Sequence, residues 1–152
     1  MNTVNKIALP RLAYFAVRGG RTLLGRSDHV VVTRGGLKYE LDLFEGIDFV
    51  IYFIGGFELN TNRAIRRYAR PVMTVLDIGA NIGAHTLSLG KLVKPDGRIL
   101  AFEPAEYAFH KLKRNVQLNP VLEDTIEPFH YFLTSYSETG IPNSIYSSSN
   151  EE

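Results

Sequence analysis

Residues 74–87 read TVLDIGANIGAHTL: an apolar run to Ile78, a turn-rich span from Gly79 to Gly83, and a stretch of helical character from Ala84. A strand feeding a tight loop into a helix N-terminus presents unpaired N–H groups and the positive end of a dipole, and both favour an anionic ligand group. Glycine at 79 and 83 permits close approach, and Asn81 is among the few non-glycine residues that tolerate a left-handed backbone. A Rossmann dinucleotide fingerprint would place glycines at 79, 81 and 84, where this chain has Gly79, Asn81 and Ala84. Alanine is allowed at the third position, but Asn81 obstructs a pyrophosphate at the second.

Downstream, strand and helix patterns alternate. Ala84 to Val93 is a helix with Leu87, Leu89 and Leu92 among its apolar positions, and Pro95-Asp96-Gly97 is a turn to which Gly97 contributes a positive φ. Arg98 to Phe102 is a second strand, ended by Glu103-Pro104. A helix from Glu106 to Leu118 carries Phe109, Leu112 and Val116 at spacings of three and four, and Asn119-Pro120 stops it. Ile126 to Leu133 is a third strand, in which Pro128 suits an edge or a strand start. Such alternation predicts a parallel sheet wrapped by helices, without internal repeats.

Upstream, VVVTRGGLKYELDL (Val30 to Leu43) reads as a hairpin turning at Gly35-Gly36. Gly46 to Ile54 is compatible with a strand or a buried helix, because so short an apolar run does not reveal its period. Asn60 or Thr61 caps a short helix with Ala64, Ile65 and Tyr68 inward and Arg63, Arg66, Arg67 and Arg70 on a solvated face. The lysines and arginines of KLKR, Lys111 to Arg114, read likewise as a solvated helix face. Met1 to Ser27 holds five basic residues and no acid, which fits an N-terminal helix, Leu12 to Arg18, or else targeting or lipid contact.

A chain of 152 residues with 45% apolar content can bury a core. Seventeen lysines and arginines face 16 acids, so the overall balance attracts neither nucleic acid nor an anionic surface, and no nucleic-acid partner is expected. Absence of cysteine excludes disulfides and thiolate chemistry. His29, His110 and His130 lack ligand spacing, so no metal site is assigned. Phe49 to Phe57 is too short to span a bilayer, and a cytoplasmic or loosely membrane-peripheral protein is expected.

Glu103 lies 20 residues beyond Gly83, where this fold places a carboxylate that accepts hydrogen bonds from ribose hydroxyls. Asp77 ends the first strand, where open α/β sheets bind ligands; it would repel phosphate and pair with an ammonium. A ligand offering ribose, ammonium and carboxylate without phosphate is S-adenosylmethionine.

VLDIGANIGAHTL followed by GRILAFEPAEYAFHKLKRNVQLNP resembles the FkbM family of S-adenosylmethionine-dependent methyltransferases, with its DIGANIG loop and downstream FEP. The likeness extends to YELDLFEGID, GGFE, FLTS and IYSS, from Gly36 to Ser148. It implies a class I methyltransferase fold and methyl transfer, commonly to a hydroxyl of a carbohydrate, lipid or secondary metabolite. Asp77, Gly79, Asn81 and Gly83 match the cofactor loop and Glu103 the ribose-binding acid. The resemblance also implies that Thr86 and His85 lie where the methionine carboxylate would sit. Glu58 matches an upstream glutamate that closes over the cofactor, although Leu59 departs from the proline often found next. The expected fold is therefore α/β: an incomplete Rossmann-like sheet of about three parallel strands, with an N-terminal helix and β-hairpin before it.

Two segments are expected: residues 1–70 as helix, hairpin and lead-in helix, and residues 71–152 as the first half of a cofactor-binding domain. Only 75 residues follow Asp77, and the family's later acidic motif, resembling DVEG, is absent. The chain thus reads as the N-terminal part of a longer enzyme. A noncatalytic remnant or interaction module is the alternative, and an NAD-linked oxidoreductase is disfavoured by Asn81. No residue is named as the general base.

Overall fold

The computed structural model describes residues 14–17 and 19–134. Helical residues 14–17 and 19–23 (α1) precede β1 (His29–Arg34), β2 (Leu37–Asp42), α2 (Gly46–Ile54) and α3 (Leu59–Tyr68). There follow β3 (Thr74–Ile78), α4 (Ala84–Val93), β4 (Arg98–Phe102), α5 (Glu106–Gln117), one 3₁₀ turn (Pro120–Leu122) and β5 (Ile126–Phe129). The part of the expected N-terminal helix at residues 12, 13 and 18, and the serine-rich stretch after Gly140, lie outside the described residues.

β3, β4 and β5 form a parallel sheet in that order, with Asp77 opposite Ala101 and Phe102 opposite Phe129. Pro128 sits within β5, the edge strand, where its missing N–H costs no ladder bond on the outer side. Among the described residues the other edge, β3, also has no outer partner, and its Leu76 and Ile78 are 56% and 66% exposed. β5 stops at Phe129 rather than Leu133. Glu103 N–H donates to Phe129 O at 3.0 Å, but the next N–H on that side, that of Ala105, turns to Glu103 Oε1 at 2.8 Å, and the ladder ends.

The hairpin turns through Gly35 (φ 58°) and Gly36 (φ 75°), with Arg34 paired to Leu37, the two-residue type I′ geometry that matches strand twist. Its Leu37, Tyr39 and Leu41 join Ile51 of α2, Leu87 of α4, Ile99 of β4 and Leu112 of α5 in one core. Two buried asparagines of the α5 region tie the hairpin down. Asn119 accepts from Lys38 N–H at 2.9 Å and donates to Lys38 O at 2.7 Å, so an amide side chain imitates a neighbouring strand. Asn115 accepts from Glu40 N–H at 2.7 Å.

Gly46–Ile54 is a helix, ended by Gly55 at φ 86°, whose N–H bonds Ile51 O at 2.9 Å. From it, buried Asp48 pairs with Lys111 of α5 and takes the N–H of Asp42; burial pushes its carboxyl up, against the lowering effect of Lys111. Lys111 is therefore largely covered rather than part of a solvated face.

The lead-in helix differs from expectation. It starts two residues earlier than an Asn60 cap allows and three earlier than a Thr61 cap, with Glu58 in the cap position at φ 47°. Ile65 is half-buried, but Ala64 is exposed and Tyr68 is 70% exposed, because α3 docks on α4 along a narrow line. The Pro95-Asp96-Gly97 turn keeps Gly97 for a different reason from a positive φ: a Cβ there would lie 2.4 Å from Val93 O and 2.7 Å from Met73 O. Among the described residues, no helix is long and apolar enough to cross a membrane.

Candidate cofactor site

The loop between β3 and α4 takes a left-handed conformation at alternate residues: Gly79 (φ 78°), Asn81 (φ 49°) and Gly83 (φ 91°). Asn81 secures its unusual backbone by accepting the N–H of Ile82 on its own side-chain oxygen at 2.8 Å. The two glycines serve different ends. A Cβ at Gly83 would lie 2.8 Å from Leu112 Cδ1, so glycine lets α5 pack beneath the loop, whereas a Cβ at Gly79 would meet nothing within 4 Å. Only Gly79 keeps its space free for something other than protein.

Most of the loop donors are already engaged. Gly79 and Ala80 N–H both reach Phe102 O, at 2.9 and 3.0 Å, and Gly83 N–H reaches Ala80 O at 2.9 Å. The anion-seeking donors are instead those of the first turn of α4, which has no side-chain cap.

Glu103 is 5% exposed, not a solvated strand end. One oxygen accepts Asn81 N–H and the other Ala105 N–H, each at 2.8 Å. A carboxylate oxygen holds two lone pairs, so each retains acceptor capacity. The residue thus clamps the loop onto the end of β4.

Asp77 is half-buried at the end of β3 and accepts a 2.5 Å hydrogen bond from Thr86 Oγ1. Thr86 is 0% exposed, so its hydroxyl orients Asp77, and only its backbone N–H remains among the first-turn donors. His85 Nε2 lies 3.3 Å from Glu58 Oε2, joining residues 27 apart in sequence. His85 Nδ1 is buried with no hydrogen-bond partner. The structure thus brings Gly79, Asn81, Gly83, Asp77, Thr86 and Glu103 together around one loop, with Glu58 and His85 at its helical end. Sequence reading missed Asn115, whose side chain donates to Ile82 O of this loop at 2.8 Å; a polar residue on a helix gives no local sign of such reach. Among the described residues no group of three or more His, Cys, Asp or Glu could hold a metal ion.

No family model matches the sequence. The uncharacterized 37.1 kDa protein in transposon TN4556 of Streptomyces fradiae is 25% identical over 120 residues, covering 73% of this chain and 33% of that protein. Among solved structures, M. jannaschii TYW2 in complex with AdoMet matches with a TM-score of 0.51 at 22% identity, over 68% of this chain and 43% of that one. The complex of aTrm5 and tRNALeu matches at 0.53 and 19% identity, over 69% and 28%. The fold is Rossmann-like, of the methyltransferase type.

This chain spans about a third of the length of its Streptomyces relative and less than half of either solved neighbour. The neighbours overturn one expectation, that the partner is a small molecule, glycan or lipid and not a nucleic acid: the same fold in aTrm5 stands in complex with tRNALeu. The physical fault lies in using a net charge of +1, which averages over faces. Helix α3 alone carries Arg63, Arg66 and Arg67 and no acid, a local field that the sum conceals.

Proposed function

We propose that the chain is the cofactor-binding part of an S-adenosylmethionine-dependent methyltransferase of class I, similar to the FkbM family. One observation carries the reading: a β3–α4 loop with free space over Gly79, clamped by the Glu103 carboxylate and flanked by Asp77. In this assignment Asp77 pairs with the ammonium, and the uncapped donors at Ala84, His85 and Thr86 receive the methionine carboxylate. Gly79, Asn81 and Gly83 shape the loop, and Glu103 accepts from the ribose hydroxyls on its remaining lone pairs. Residues 71–152 are assigned as this cofactor-binding segment and residues 1–70 as the helix, hairpin and lead-in helix before it.

Bound there, S-adenosylmethionine supplies an already activated methyl group. The protein's own contribution is then alignment of a nucleophile and acceptance of its proton. For the acceptor, the exposed arginines of α3 and the tRNA-bound neighbour favour a nucleophile in RNA.

Titration calorimetry with S-adenosylhomocysteine and, separately, NADH tests the assignment. S-adenosylhomocysteine is expected to bind and NADH not to; the reverse preference would discard it.

A further inference from the structure

On the side of α4 turned away from Asp77 lies a cavity of about 510 Å³, enclosed by the hairpin turn, the Gly55-Gly56-Phe57 connection, α3 and α4. Its floor is apolar, with Leu37, Tyr39 and Ile51 buried beneath it. Its walls carry four cations, Arg34, Arg63, Arg66 and Lys91, and no carboxylate lines it. Neutral oxygens hold three of the four: Arg34 donates to Tyr52 O, Lys91 to Gly35 O at 3.0 Å, and Arg63 to Asn60 Oδ1 at 2.9 Å. Those bonds fix the heads without cancelling their charge. No ion pair involving any of these four is found among the described residues.

Four positive charges converging on a water-accessible hollow repel one another, a cost that an anion would offset. A carboxylate supplies one charge; a phosphate supplies up to two and three acceptor oxygens, which suits several guanidinium forks at once. The cavity volume falls within the range of small-ligand pockets, so the group it accepts enters a hollow rather than lying across a flat face. Position links it to the chemistry. Ala84, next to loop residue Gly83, lines the cavity, as does Phe57, whose ring centre is 6.0 Å from that of His85.

We infer that this cavity is a binding site for a phosphate group, with Arg66 and Lys91 as its principal anion contacts. The site stands on the cavity alone and does not depend on the methyltransferase reading.

The test is calorimetry on the full chain with inorganic pyrophosphate, ribose 5-phosphate and a single-stranded RNA 12-mer, each against S-adenosylhomocysteine as a separate titrant. Pyrophosphate is expected to bind. Arg66→Gln and Lys91→Gln should each weaken it at least tenfold, with S-adenosylhomocysteine affinity held within twofold, and Arg66→Lys should recover part of the loss. Arg66 and Lys91 are both exposed, and thermal melts confirm folding. Ribose 5-phosphate binding that follows the same variants identifies a small phosphorylated ligand; RNA binding that follows them identifies a nucleic-acid phosphate. The inference is overturned if pyrophosphate does not bind, if the variants bind it unchanged, or if S-adenosylhomocysteine affinity falls in parallel. Failure of S-adenosylhomocysteine alone to bind would instead overturn the methyltransferase reading and leave the phosphate site standing.

Discussion

Asn115 of α5 donates its side-chain N–H to Ile82 O of the glycine loop at 2.8 Å while its amide oxygen accepts Glu40 N–H at 2.7 Å. One buried side chain thereby couples the hairpin to the cofactor loop, reaching back 33 residues to Ile82 and 75 to Glu40. Asn115→Leu would leave both backbone groups without a partner in a dry interior. At about 1–3 kcal/mol for each orphaned group, urea unfolding should show a loss of roughly 3 kcal/mol. S-adenosylhomocysteine affinity should fall as well, since Ile82 adjoins Asn81; an unchanged unfolding midpoint would show that the bracket is dispensable.

Thr86→Val removes the hydroxyl that orients Asp77 and keeps the buried shape. A hydrogen bond to a charged acceptor contributes about 1.5–3 kcal/mol. If Asp77 holds the cofactor's ammonium in the position Thr86 sets, S-adenosylhomocysteine should bind about tenfold more weakly by calorimetry. Equal affinity would mean that Asp77 needs no such guide.

Tyr39 gives a pH signature. Burial pushes its hydroxyl up to about 12 from the ordinary 10.0, against a smaller lowering by a hydrogen bond with Ser88. Because the folded-state value is raised, the associated stability is fully present below pH 10 and is lost as pH rises through about 12. Two pH units correspond to roughly 2–3 kcal/mol. Tyr39→Phe should cost about 1 kcal/mol at pH 7 through the lost bond, yet flatten the decline between pH 10 and pH 12 seen in chemical denaturation. A decline of the same steepness in the variant would assign it elsewhere.

Val72, which opens β3's approach, is a β-branched residue at φ 64° and is 66% exposed. A left-handed backbone costs such a residue about 1–2 kcal/mol, and asparagine tolerates it far better. Val72→Asn should therefore raise the unfolding free energy by about 1 kcal/mol; a destabilised variant would mean that the valine side chain contributes packing.

Legibility in the sequence followed how local the cause was. The Gly35-Gly36 turn and the left-handed Asn81 were readable because each is decided by the backbone freedom of one or two residues. Glu103 could be placed from its spacing, but its burial and its two N–H donors depend on where the loop folds back. The segment from Gly46 to Ile54 stayed ambiguous because its period is masked by apolar residues on several faces. Tyr68 was assigned inward on helical spacing, yet α3 meets its neighbour along too narrow a line to cover it. The basic cavity was invisible, since Arg34, Arg63 and Lys91 converge only after the hairpin and α3 close around α4.

Gly97 has one further consequence. In a saturation-mutagenesis experiment its column should be as depleted as that of Gly79, although the first excludes every other residue by crowding against Val93 O and the second faces open space. Intolerance to change would thus mark two unlike glycines alike. Only the alanine variants separate them: at 79 a folded protein impaired in ligand affinity, at 97 a protein that does not accumulate.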